Sequence, residues 1–104
     1  MAQSDFEMTL THIAEKLEIT IPVQGWKRVE FLLPFLEQMR QEGAIVLIKF
    51  DGEKSKVYGT EPYTVSVIGA FMGEDFFRID SFSLEEALIH TITHYTQVKW
   101  KHLL

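Results

Sequence analysis

The sequence predicts an α+β fold: an antiparallel sheet of three or four strands packed against three helices, in the order α-α-β-β-β-α, forming a single domain over residues 1–104. Three observations lead there. Apolar residues recur at helical spacing in two N-terminal stretches and one C-terminal stretch. Three short β-rich runs lie between them, each alternating with period two. The links between these runs are short, which favours an antiparallel meander. With 104 residues, 46% hydrophobic and 24% charged, the chain is long enough for one core.

The elements follow in order. Ser4-Asp5-Phe6-Glu7 has the form of a capping box, in which a hydroxyl and a carboxylate satisfy the free N–H groups of a helix start. Phe6, Leu10, Ile13 and Leu17 then make one apolar stripe, so a helix is expected over 4–17, with His12 off the stripe and exposed. Ile19 to Val23 alternates, but Pro22 cannot donate to a ladder, which limits the segment to an edge strand or an extended connector. After Gly25, Val29, Leu32, Leu33, Leu36 and Met39 define a second helix over 26–42, ended by Gly43. Pro34 inside it removes one hydrogen bond and predicts a kink. Trp26, beside Lys27 and Arg28, reads as a packing anchor rather than a platform for a nucleotide base.

Ala44 to Phe50 is the first strand, followed by the turn signal Asp51-Gly52. Lys54 to Pro62 is expected to be an irregular, charged connection with a short strand near Lys56-Val57-Tyr58. Tyr63 to Ile68 is the second strand, Gly69 to Asp75 holds a turn, and Phe76 to Asp80 is the third strand. Ser83-Leu84-Glu85-Glu86 is another capping box and opens a helix reaching Gln97–Trp100. Trp100, Leu103 and Leu104 are expected to close over the core or to fray.

Composition narrows the function. The chain has no Cys and no Asn, so disulfides, thiolate metal sites and N-glycosylation sequons are excluded. No apolar run approaches the length of a membrane span. The start, MAQSDFEMTL, lacks a basic region followed by an apolar stretch, so no signal peptide is expected and the expected location is cytoplasmic. The formal charge is −5, and the Lys and Arg residues are scattered without a basic run. Nucleic acid is therefore not an expected partner, because duplex binding relies on a cationic stripe that displaces counterions. Neither a P-loop, a G-x-G-x-x-G turn nor a G-x-S-x-G elbow occurs, and no cofactor is expected.

Two groups of residues have chemical potential. Glu86, His90 and His94 recur at spacings of four along the last helix, a geometry that can present two imidazoles and a carboxylate to a metal. Thr91 stands where a zinc protease motif needs Glu, and helical geometry puts Leu84, Leu88, Thr91, Tyr95 and Val98 on the opposite side. Glu86, His90 and His94 are thus expected on a solvated, metal-free face with Thr93 and Gln97. Glu74-Asp75 and Asp80 read as a polar turn and the approach to a helix cap rather than an acid/base pair. For a small-ligand site, Trp26, Tyr58 and Tyr63 are the candidate wall residues.

The strand faces carry the strongest signal. Val46, Ile48 and Phe50 align with Val65, Val67, Phe77 and Ile79 on one apolar face. The other face carries Ile45, Leu47, Lys49, Thr64, Ser66, Ile68, Phe76 and Arg78, more large hydrophobes than a wet face needs. Either the chain's own helices or the Ile19–Val23 segment cover this face, or Ile45, Leu47, Ile68 and Phe76, rimmed by Lys49 and Arg78, form an interaction surface for another chain. The expectation is an acidic, non-catalytic protein-interaction module, either a homodimer or an inhibitor of immunity type that binds another protein. The alternative is a small enzyme or ligand-binding domain that uses the Glu86/His90/His94 face.

Overall fold

The computed structural model describes residues 5–22, 25, 27–69 and 77–104. It contains helices α1 (Asp5–Leu17), α2 (Val29–Gln41) and α3 (Leu84–Val98), and strands β1 (Ile45–Phe50), β2 (Tyr63–Ile68) and β3 (Phe77–Ser81). The α-α-β-β-β-α order is as expected, and the sheet is three-stranded and antiparallel in the order β1-β2-β3.

The two N-terminal helices end by the same device. In α2, Gly43 takes φ +100°, its N–H donates to the Arg40 carbonyl at 2.9 Å, and Ala44 N–H donates to the Met39 carbonyl at 3.0 Å. This pair of bonds satisfies carbonyls that a helix terminus leaves without partners. In α1, Glu18 occupies the equivalent position with φ 58°; Ile19 N–H reaches the Ala14 carbonyl at 2.8 Å. A side chain in the left-handed region is unfavourable, and nothing in the α1 sequence announces it. Ile19 to Pro22 then runs as a connector that pairs with no strand among the described residues, with Ile19 and Ile21 packed on the core.

α2 begins at Val29, three residues beyond the expected start, and Trp26 lies outside the described residues. Pro34 sits within the helix without ending it. It has no N–H, so the Glu30 carbonyl lacks its usual donor one turn on. α3 starts at Ser83, whose Oγ accepts the Glu86 N–H at 3.2 Å. Only half of the capping box forms, because the Ser83 N–H donates to Ser81 Oγ at 3.1 Å rather than to the Glu86 carboxylate. The first capping box depends on Ser4, which lies outside the described residues.

All three helices contribute to one core on one side of the sheet. α3 packs against β2 and β3, and α2 against β1 and α3. Val65 and Val67 of the central strand are fully buried there, with Leu10, Ile13, Leu32, Phe35 and Leu88. Trp100 is buried at the end of α3, and Leu103 packs partly on the same core. Leu104, expected to join them, is exposed.

One segment differs from expectation in type. The strand expected near Lys56-Val57-Tyr58 is instead part of a π-helical turn, Lys54–Tyr58. Asp51 explains the difference: its Oδ1 accepts the Lys54 N–H at 3.0 Å and initiates helical winding straight after β1. Gly59, at φ 61°, releases the chain again, and no residue of the turn is buried.

Candidate functional site

The register of the sheet sorts the strand residues into two faces. Ile45 pairs with Ile68, Leu47 with Ser66, Lys49 with Thr64; Thr64 in turn pairs with Asp80, and Ser66 with Arg78. Directly opposed residues of an antiparallel pair share a face, so these side chains all lie opposite Val65 and Val67. The helices cover only the Val65 side. Ile45 is 55% exposed, Leu47 54% and Ile68 43%. Three large aliphatic side chains thus stand on one face, each about half exposed. Phe76, the fourth apolar member expected here, lies outside the described residues.

The rest of this outer face is ionic. Thr64 is only 7% exposed although it points away from the helices. Its hydroxyl donates to Asp80 Oδ1, which also faces Lys54 Nζ at 3.6 Å and Arg78 at 3.5 Å. The Thr64 hydrogen bond is the largest influence holding the Asp80 carboxyl below its usual range, and the Arg78 and Lys54 charges act in the same direction against its partial desolvation. Lys49 pairs with Asp51 at 3.1 Å. Asp51 is held low chiefly by the Lys54 backbone N–H and then by Lys49. Lys49 and Arg78, expected at the rim of the interaction surface, are therefore already engaged within the chain. The π-helical turn supplies Lys54 to this network, a contact that strand alternation does not reveal.

α3 separates the residues expected on one solvated face. Glu86 and His90 are exposed. His94 is not: its ring stacks on Phe77 at 4.6 Å, with an interplanar angle of 19°. Its Nε2 is buried, with no hydrogen-bond partner among the described residues. The helix buries a wider arc than the Leu84–Leu88–Tyr95 line, adding Ala87, Ile92 and Thr96, because one side meets the sheet while another meets the other helices. His94 falls on the sheet-facing edge of that arc. Among the described residues no group of three or more His, Asp or Glu side chains is placed to hold a metal ion. Glu74 and Asp75 are outside the described residues, and Asp80 belongs to the ion-pair network above.

A second polar cluster was not legible from the sequence. Glu42, just past α2, accepts Tyr95 Oη at 3.0 Å and Trp100 Nε1 at 2.9 and 3.1 Å. Gln38 Nε2 donates to the same carboxylate at 2.9 Å. The Tyr95 and Trp100 rings pack edge to face at 4.6 Å. Burial, and then the adjacent carboxylate, push the Tyr95 phenol well above its ordinary range. A phenol so placed stays protonated and serves as a structural donor rather than a base.

Two open grooves lie among the described residues near the sheet. A groove of about 710 Å³ separates α2 from β1, lined by Leu33, Pro34, Leu36, Val46 and Ile48 with Glu30, Glu37 and Arg40 at its rim. Another, of about 820 Å³, lies where β1 and β2 meet the start of α3. Phe50, Tyr63 and Phe82 line it, and Phe50 meets Tyr63 edge to face at 5.4 Å. Tyr63 lines this groove, whereas Tyr58, exposed on the π-helical turn, does not. The carboxylates at this second groove, Asp51 and Glu85, are not joined there by a histidine.

Among the described residues no helix is long and apolar enough to cross a membrane. Comparison with known proteins returns no match: no family model, no curated protein and no solved structure is significantly similar to the chain.

Proposed function

We propose that this protein is a small, non-catalytic protein-interaction module that binds another polypeptide through the outer face of its sheet. One observation carries the reading: Ile45, Leu47 and Ile68 remain about half exposed because all three helices lie on the opposite face. Isolated exposed hydrophobes are ordinary, but three neighbours on one sheet face, with Ile45 directly paired to Ile68, are the pattern of a docking surface. The charged half of the face supports the same reading. Its ion pairs are satisfied internally and hold Lys49, Arg78 and Asp80 in place, forming a polar border beside the apolar half. The distribution of imidazole and carboxylate groups favours binding over catalysis, since His94 is turned into the protein while Glu86 and His90 face solvent.

The test is affinity capture from source-cell extract with wild-type and Ile68→Glu protein as bait. Ile68 is exposed, so the substitution adds a solvated charge and the variant folds, as circular dichroism will show. Proteins retained by the wild type and lost with Ile68→Glu support the reading. Identical retention by both baits refutes it.

A further inference from the structure

β1 is an edge strand with an apolar free edge. Asp51 N–H donates to the Pro62 carbonyl at 2.7 Å, continuing the register that pairs Phe50 with Tyr63. Bonded residues alternate along an antiparallel strand, so Ile45, Leu47 and Lys49 aim their backbone groups at β2. Val46, Ile48 and Phe50 aim theirs away from the sheet. No described strand takes up those groups, and there is no proline in β1 to blunt the edge. The same three side chains lie on the helix-bearing face, yet Ile48 is 40% and Phe50 68% exposed. The groove between β1 and α2 opens beside Val46 and Ile48.

We propose that the chain forms a homodimer by antiparallel pairing of β1 with a second copy of β1, giving a continuous six-stranded sheet with its two-fold axis at Ile48. The outward-facing set Val46, Ile48 and Phe50 is symmetric about Ile48. A two-fold centred there pairs Ile48 with Ile48 and Val46 with Phe50, so every outward N–H and C=O finds a partner. A centre at Val46 or Phe50 leaves part of the ladder unpaired. The side chains select the same register. Phe50 of one protomer, directly opposite Val46 of the other, shares its face. It is thereby delivered to the α2–β1 groove, whose wall includes Val46, Leu33 and Pro34. On the outer face, Leu47 meets Lys49 and Ile45 meets Asp51, so no like charges are opposed across the seam.

The area suffices for a weak dimer. An aromatic side chain offers about 150–250 Å², so Phe50 at its observed exposure contributes about 100–170 Å². With Ile48, Leu33, Leu47 and the edge backbone, each protomer buries roughly 500 Å², the low end for specific association, and a dissociation constant in the micromolar range is expected. This inference goes beyond the outer-face reading and does not rest on it, because Ile68 stays open in such a dimer.

Light scattering at about 100 µM tests it, a concentration above the micromolar dissociation constant that so small an interface implies; the wild type is expected to give twice the chain mass. Ile48→Pro removes an N–H that points away from β2, a substitution an edge strand tolerates; it is expected to give a folded monomer. Phe50→Ala, which leaves the ladder intact, is expected to weaken the dimer at least tenfold. Because the chain has no cysteine, Ile48→Cys introduces a single thiol per protomer, and a short bis-maleimide is expected to join the two across the axis. Ile45→Cys is the control, since the two thiols would lie about 20 Å apart along the paired strands. A monomeric wild type overturns the inference, as does a folded Ile48→Pro dimer or equal cross-linking of both cysteine variants. If Ile48→Pro fails to fold, Phe50→Ala and the cross-linking pair decide. A dimer lost with Ile68→Glu but unchanged in Phe50→Ala transfers self-association to the outer face and overturns the β1 geometry. A wild-type monomer that still captures a partner through Ile68 overturns this inference alone.

Discussion

Replacing Glu42 by Ala should destabilise the protein far more than its surface position suggests. The carboxylate accepts hydrogen bonds from Tyr95, Trp100 and Gln38, and the first two belong to residues that are otherwise buried. A hydrogen bond to a charged acceptor contributes about 1.5–3 kcal/mol, and a buried donor left without a partner costs about 1–3 kcal/mol. Glu42 is itself exposed, so water entering after its removal recovers part of the loss. The expected net cost is about 1–3 kcal/mol, or roughly 5–15 °C in Tm for a domain of this size. Urea unfolding followed by circular dichroism gives the value, and Glu42→Gln, which keeps one acceptor oxygen, should lose less. A double-mutant cycle with Trp100→Phe isolates the pair and should show a coupling of about 1 kcal/mol or more. Glu42→Ala within about 0.5 kcal/mol of wild type, the range of an ordinary surface change, would refute the idea that this carboxylate fastens α2 to the end of α3.

Glu18→Gly should raise stability by about 0.5–1 kcal/mol, because the left-handed position that closes α1 penalises a side chain and suits glycine; a lower urea midpoint would contradict this. His94→Leu should be neutral or stabilising, since it removes a buried ring nitrogen with no partner among the described residues and keeps an apolar contact with Phe77; thermal unfolding at pH 8 reads it, and a large loss of Tm would show that His94 Nε2 is paired. Asp80 has a folded-state pKa below its unfolded value, so its stabilisation is present above about pH 4 and is lost as pH falls through the folded value. Asp80→Asn should therefore flatten the decline of stability below about pH 4, the usual carboxylate range. Asp51, which is depressed in the same way, leaves a residual slope. An unchanged acid profile for Asp80→Asn would show that the Thr64–Asp80 bond contributes nothing.

Periodicity by itself determined the three helices, the three strands and the division of the strands into two faces. These are local consequences of how 3.6- and 2-residue repeats place side chains, and Val65 with Val67 on the buried face follows from them. Gly43 as a helix stop and Ser83 as a helix start were legible for the same reason, since each acts within its own turn. What only the tertiary structure decided depends on residues far apart in the chain. Ile45, Leu47 and Ile68 stay about half exposed because the described helices gather on one side of the sheet, and alternation is silent about which elements will cover a face. Lys54 reaches Asp80 because Asp51 winds the following segment into a π-helical turn. His94 leaves the solvated face because β3 brings Phe77 beneath it. Glu42 meets Tyr95 and Trp100 across more than fifty residues. A helical wheel reports only the angle of a side chain about its own axis; the neighbour waiting at that angle is set by packing.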